Sequence, residues 1–243
     1  MKKLTYLLPL HKPDYKVVNE FIDSLSSKSK LVICGVYDDK KITRKKLITH
    51  IAHDGLLTEC LNMMIAKVKT DFFSIVCHDD IVKPIHEKFY TLYTEYKPDV
   101  DIYLQMITEE NNVGNQIGIT NHTVWAKGFS DKQAYLDNES LKRYFNYSLY
   151  GAIIRTESIK DIGLFKTNLD TIYEYEFLLR ATQNDLDIYV VPKLTYTHKA
   201  REDSRTNKLR AKYNQLDINN LKNVAKKECY FKNDRPLEIL ETN

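Results

Sequence analysis

The chain predicts an α/β fold with a mostly parallel central sheet flanked by helices. Two observations carry that expectation. Three apolar segments of the buried-strand type, Leu4 to Leu10, Lys30 to Tyr37 and Asp71 to Cys77, are each followed by an amphipathic helical pattern. Two of the three end in paired aspartates, Asp38-Asp39 and Asp79-Asp80. Sheets of this kind place their ligands beyond the carboxyl ends of the strands, so the acids stand where a ligand is expected.

Leu4 to Leu10 leads through Pro13 and Asp14 into the helical spacing Val17, Val18, Phe21, Ile22, Leu25. After the second strand, Leu56 to Val68 carries apolar residues suited to one face of a helix, and Ile85 to Tyr96 repeats that pattern after the third. Asp101 to Ile107 reads as a further strand. From Thr108 to Lys132 the chain turns polar, and Asn111, Asn112, Gly114, Asn115 and Gly118 suggest a loop or irregular hairpin. Gly151 to Arg155 reads as a short strand before a helix over Glu157 to Ile162, which Gly163 closes. Tyr173 to Thr182 reads as a helix with an acidic first turn, and Asp187 to Val191 as a strand stopped by Pro192. A charged tract from Lys199 to Lys227 carries an irregular apolar stripe, Leu209, Tyr213, Leu216, Leu221 and Val224.

The 243 residues, 43% of them hydrophobic, suffice for one main domain with a substantial core. The net charge of +3 gives no global attraction to nucleic acid, which is not expected as a partner, or to anionic membrane. The apolar run after Met1 ends too early, at Pro9 and Pro13, for a signal peptide, and no stretch is long enough to span a bilayer. Cys34, Cys60, Cys77 and Cys229 are scattered without a CxxC pair, so neither a structural zinc site nor a disulfide framework is expected. A reducing cytoplasm is the expected compartment, with peripheral attachment at a membrane left open.

Cys77-His78-Asp79-Asp80 is the strongest local signal, because carboxylates at a strand end can hold a divalent cation that also grips a diphosphate. The competing reading is a solvated turn whose aspartate caps the next helix. An acid at Asp38 or Asp39 can accept hydrogen bonds from a ribose or base.

Taken in order, these segments resemble the family 2 glycosyltransferases, from about Leu4 to about Ser204. LTYLLPLHK is similar to the family's first strand, which places Pro9, Leu10 and His11 beside the nucleotide. ICGVYDD is similar to its second strand, which gives Asp38 or Asp39 the nucleoside contact. CLNMMIAKVKTDFFSIVCHDD is similar to the segment in which an Asn-bearing helix precedes the DxD element, with Asn62, His78 and Asp79 on the donor side. The first Asp of DxD is Cys77 here, and a free cysteine at a strand end commonly packs as a small apolar residue.

TIYEYEFLLR is similar to the family's ED-x-E-x-x-x-R helix, with Glu174 at the general base, Glu176 at the second acid and Arg180 at the arginine. A carboxylate suits the removal of an acceptor hydroxyl's proton, although an acidic first helical turn is also stabilised by the helix dipole alone. LTYTHKAREDSR is similar to the segment that supplies a metal-binding histidine, here His198, with Arg201 and Arg205 beyond it. Trp125, Tyr144, Phe145, Tyr147 and Tyr150 are candidates for a sugar platform or for core.

The resemblance implies a GT-A-like domain over 1–204, with a nucleotide-sugar-binding half at 1–107 and an acceptor-binding half at 108–204, followed by a helical extension at 205–243. It implies inverting transfer from a nucleotide-diphosphate donor, a UDP-sugar first, to a glycan or other hydroxyl acceptor. Asp79, Asp80 and His198 would bind Mn²⁺ or Mg²⁺, and self-association is left open. The alternatives are a catalytically inactive nucleotide-sugar or glycan-binding module and, more remotely, a nucleotidyltransferase, for which Pro9 to Pro13 lacks a Gly-rich loop.

Overall fold

The computed structural model describes residues 4–44, 47–144, 146–169, 171–200 and 218–227. Its first half is a run of parallel strands and helices: β1 (Leu4–His11), α1 (Tyr15–Ser24), β2 (Lys30–Val36), β3 (Ile48–Ala52), α2 (Leu57–Lys67) and β4 (Phe72–Ile75). The strands lie in the order β3-β2-β1-β4, all parallel. Asp14 caps α1 by accepting the Lys16 N–H at 2.9 Å, a bond that satisfies one otherwise orphaned donor of the first turn.

The second half is β5 (Ile81–Val82), α3 (His86–Tyr96), β6 (Ile102–Glu110), β7 (Gln116–Thr120), β8 (Tyr135–Leu136), α4 (Asn138–Arg143), β9 (Ile153–Arg155), α5 (Thr156–Asp161), α6 (Tyr173–Gln183) and β10 (Ile188–Lys199). The full path is β3-β2-β1-β4-β9-β6-β10-β5, with β7 added to β6 and β8 to β10, in one ten-stranded sheet. The longest ladder, β6 with β10, is parallel. The short β9 runs antiparallel to both β4 and β6, so those two strands point the same way and the carboxyl ends of β1, β2, β4, β6 and β10 share one edge.

Successive strand residues face opposite sides of the sheet, and both sides are covered. Leu7, Val32, Phe73 and Ile75 pack in one core with Leu61, Met64 and Ile65 of α2 and Phe177 and Leu178 of α6. Tyr6, Leu8 and Ile33 pack in the other with Val18, Phe21 and Ile22 of α1 and Tyr90 of α3. Two-sided burial explains why β1 and β2 read as continuous apolar runs. Gly35, at φ +143°, is required by a close approach: a Cβ there would lie 1.7 Å from the Leu10 carbonyl oxygen.

Three expectations need correction or extension. The last strand does not stop at Pro192; it runs to Lys199, and register shifts between Val191 and Leu194 and between Leu194 and Tyr196 absorb the missing N–H. The polar stretch after Thr108 opens with the end of β6 and the antiparallel β7, which form a hairpin. The edge strand β3, half-exposed along its length, carries no clear sequence signal. Residues 218–227 are helical, with Leu221 and Ala225 buried in the first core. Arg201, Arg205, Leu209, Tyr213, Leu216 and Cys229 lie outside the described residues. Among the described residues, no helix is long and apolar enough to cross a membrane.

Candidate functional site

β4 ends against β1, with the Val76 N–H donating to the Leu7 carbonyl at 3.0 Å, and the chain then turns, the Asp80 N–H donating to the Cys77 carbonyl at 3.2 Å. The turn is anchored from the far end of the sequence. Tyr196 on β10 receives the Cys77 N–H at 3.1 Å and donates its own hydroxyl to Asp80 Oδ2 at 2.7 Å. The Lys199 N–H donates to Asp80 Oδ1 at 3.0 Å, and His198 Nδ1 lies 3.1 Å from the same oxygen. Asp80 is almost fully buried, as a carboxylate with three donors can be.

Asp80 and His198, both expected at a metal, are thus brought together but face one another. The hydrogen bond from Asp80 raises the His198 pKa above its ordinary value; burial opposes this, and the charges of Asp80, Glu109 and Asp79 reinforce it. An imidazole that donates Nδ1–H to a carboxylate presents Nε2 as its lone-pair atom, the arrangement common behind metal-bound histidines. Asp79 projects from the same turn and accepts the Cys77 thiol at 2.7 Å. Burial pushes that thiol well above its ordinary value, and Asp79 and Asp80 push it further. Cys77, His78 and Asp79 are all half-buried and bring three ligand atoms within 4.8 Å of one another.

Glu174 reaches the same edge from the first turn of α6. Its Oε1 accepts the Leu149 N–H at 2.8 Å and the Ser148 hydroxyl at 3.3 Å. The segment carrying those donors lies along β4, where Tyr150 bridges to Ile75 and the Gly151 N–H donates to the Ile75 carbonyl at 2.8 Å. Tyr150 stands between the two groups of acids: its phenol is raised by burial first and then by the charges of Cys77, Glu174 and Asp80. Tyr173 pairs with it and is raised by burial, by Tyr150 and by Glu174. The segment 148–151 therefore connects the start of α6 with the end of β4.

Gly151 makes this approach feasible. Its φ is +71°, and a Cβ there would lie 2.6 Å from the Tyr196 ring, the ring that holds the turn. Beneath it, His86 Nε2 donates to the Gly151 carbonyl at 2.8 Å while Nδ1 faces the Tyr6 hydroxyl at 3.2 Å.

Of the residues expected beside a nucleotide, Leu10 is buried while His11 ends β1 exposed, paired in register with Val36. Pro9, half-buried, pairs with Cys34. Asp38 and Asp39 are exposed; Asp38 accepts the Lys40 N–H at 3.1 Å, and its own N–H donates to the Tyr15 hydroxyl at 2.7 Å. Asn62 is engaged elsewhere: its amide donates to the Phe165 carbonyl at 2.8 Å and accepts the Phe165 N–H at 3.0 Å, which ties α2 to the chain before α6.

Glu176 and Arg180 form a buried pair. Arg180 Nε donates to Glu176 Oε1 at 2.8 Å and Nη2 to Oε2 at 3.1 Å, while the guanidinium also donates to the carbonyls of Ile162, Gly163 and Leu164. That pair clamps α6 to the turn before it. Trp125 packs edge-on against Tyr189, and Tyr147 is buried with its hydroxyl 2.6 Å from Thr123, so both belong to the core rather than to a sugar platform. Phe145 lies outside the described residues. Sequence reading missed Tyr196, Gly151 and Ser148; TYTH is visible beside His198, but nothing local marks the tyrosine as the anchor of a turn 119 residues away.

No protein-family model and no curated protein matches the chain. Its structure is similar to solved structures of S. aureus TarS. The TarS 1–349 complex with UDP-GlcNAc superposes with a TM-score of 0.62 at 16% identity, over 84% of this chain and 60% of that one. The TarS 1–349 complex with UDP gives 0.59 at 15% identity, over 92% and 72%. The longer TarS structure gives 0.62 at 13% identity over 96% of this chain, which spans only 40% of its length. The chain shares their GT-A type of α/β fold.

Proposed function

We propose that the protein is a glycosyltransferase of the family 2 kind, which moves a sugar from a nucleotide-diphosphate donor to an acceptor hydroxyl with inversion. The observation that carries this reading is the segment 148–151, which holds Glu174 through the Leu149 N–H and the Ser148 hydroxyl and is bonded through the Gly151 N–H to the Ile75 carbonyl, at the end of the strand that leads into Asp79. The UDP-GlcNAc and UDP bound in structures of the same fold support a UDP-sugar as donor.

Glu174 acts as general base. It accepts the acceptor hydroxyl's proton as that oxygen bonds to the anomeric carbon, and the bond from that carbon to the diphosphate oxygen breaks with its electron pair on the nucleotide. The Leu149 N–H and the Ser148 hydroxyl hold the carboxylate in orientation for this transfer. Asp79, with His198, would hold Mn²⁺ or Mg²⁺ at the diphosphate, and the charge of Asp79 contributes to the raised pKa of His198. When bound, the cation supplies charge stabilisation for the leaving diphosphate. Asp80 positions His198 and closes the turn. Asp38, Asp39 and His11 stand at the strand ends where the nucleoside would lie.

The test is calorimetric titration of the protein with a panel of nucleotide-sugars, with and without Mn²⁺, followed by donor hydrolysis on any that bind. Metal-dependent binding of one donor, lost in Asp79→Ala, is the expected result. A folded protein that binds none of the panel refutes the reading, and one that binds without turnover is a binding module instead.

A further inference from the structure

The chain departs from an all-oxygen metal site at Cys77. Among the described residues, Cys77, His78 and Asp79 form the one group of His, Cys and acidic side chains compact enough to hold an ion, and their donors are one sulfur, one nitrogen and one oxygen. We propose that this turn is a binding site for a thiophilic divalent cation, Zn²⁺ first, with Cys77 as a thiolate ligand, and that Zn²⁺ competes there with the oxygen-preferring cation for Asp79.

Geometry supports the fit. Zinc bonds of about 2.3 Å to sulfur and about 2.0–2.2 Å to nitrogen and oxygen place tetrahedral ligands roughly 3.3–3.6 Å apart. The three donor atoms already lie within 4.8 Å of one another. The thiol and carboxylate of Cys77 and Asp79, now 2.7 Å apart through the thiol proton, need only open slightly as an ion takes that proton's place. The Zn–S bond forms as the S–H bond breaks, its electron pair goes to zinc, and the proton leaves to solvent. Three protein ligands leave the fourth position for water or a phosphate oxygen, as in open zinc sites.

Chemistry supplies the selectivity. Mg²⁺ takes oxygen ligands and gains nothing from the thiol, and Mn²⁺ stands below Zn²⁺ in the general order of affinities. The frame around the ligands is built in advance: the Cys77 N–H and the Asp80 carboxylate are both held by Tyr196, so the ligands flanking His78 start from a fixed turn. This inference shares Asp79 with the proposed donor site but stands on the ligand atoms alone.

The experiment is titration of the purified, chelator-treated protein with Cd²⁺ as the spectroscopic stand-in for Zn²⁺, followed by its ultraviolet thiolate-to-cadmium charge-transfer band and by competition with Zn²⁺. The expected result is a saturable band that Zn²⁺ suppresses, that disappears in Cys77→Ser and that weakens in Asp79→Asn. Zn²⁺ affinity should fall in Cys77→Ser at least as far as the loss of an outer partner lowers it at other metal sites, about 10–100-fold. Cys34 and Cys60 are also thiols outside any disulfide, both buried, so Cys60→Ala serves as the control and should keep the band. A band that survives Cys77→Ser, that vanishes in Cys60→Ala, or that never forms in the wild type overturns the proposal. Donor binding with Mn²⁺, measured on the wild type, can fail while the band persists, which would refute the transferase reading alone.

Discussion

The Tyr196 hydroxyl and the Asp80 carboxylate meet at 2.7 Å across 116 residues of sequence, and the same phenol oxygen receives the Cys77 N–H. A buried hydroxyl that accepts from one end of a turn and donates to the other fixes its shape. Tyr196→Phe keeps the ring and removes both bonds. A hydrogen bond to a charged group contributes about 1.5–3 kcal/mol, so the variant should unfold at a lower denaturant midpoint by about 2 kcal/mol. An unchanged midpoint would show that the turn is held by other means.

Gly151→Ala should be at least as damaging, for two separate reasons. The residue sits at φ +71°, where an L side chain costs roughly 1–2 kcal/mol, and its Cβ would press on the Tyr196 ring. Chemical denaturation should give a loss of about 2–4 kcal/mol once the crowding is added. If Tyr196 gives way instead, divalent-cation binding should weaken together with stability.

Glu174→Gln separates binding from chemistry. The amide oxygen can still accept the Leu149 N–H, so the fold and donor affinity should persist, while turnover falls about 10²–10⁴-fold through loss of the base. Parallel calorimetry and donor-turnover assays read the two effects. Equal turnover in the variant removes Glu174 from the mechanism.

Arg180→Met leaves the Glu176 carboxylate, fully buried, without its guanidinium, and three carbonyls lose a donor. Breaking a buried pair on one side costs about 3–5 kcal/mol, so thermal unfolding should shift sharply downward. Replacing both residues, as Glu176→Leu with Arg180→Met, should recover part of that loss. A single variant of wild-type stability would show the pair to be dispensable.

His198 provides a pH dependence. Its hydrogen bond to Asp80 raises its folded-state pKa above the ordinary 6.5, against burial. A raised value means that the folded state binds the proton more tightly, so this stabilisation is fully present below 6.5 and is lost as pH rises through the folded value. Nuclear magnetic resonance titration of the metal-free protein should place His198 above 6.5, with Asp80→Asn bringing it down. A wild-type histidine titrating at or below that value contradicts the pairing.

Much of the framework was legible because it follows from local periodicity. The strands before Asp38 and Asp79 are mostly apolar because both sheet faces are covered, and α6 shows its acidic first turn plainly. What escaped depends on distant partners. Asn62 reads as a donor contact until the Phe165 backbone, 103 residues on, is seen to occupy its amide. Asp80 reads as a metal ligand until β10 arrives with Tyr196, His198 and the Lys199 N–H. Pro192 reads as a strand end because a missing N–H usually terminates pairing, yet irregular register on β10 carries the ladder past it. The orientation of β9 is likewise set by its neighbours, since three residues carry no signal of direction.

The late position of β10 has a consequence for synthesis. A chain emerging from the ribosome completes the Asp79–Asp80 turn long before Tyr196, His198 and Lys199 exist to hold it. Pairings between distant segments form slowly and after local ones. The first four parallel strands can assemble early, while the Cys77–Asp80 turn stays without its anchor until the last strand docks. The shape of the turn is therefore set only with the completion of the sheet, and a nascent or truncated chain ending before Lys199 presents the acids without the frame that aligns them.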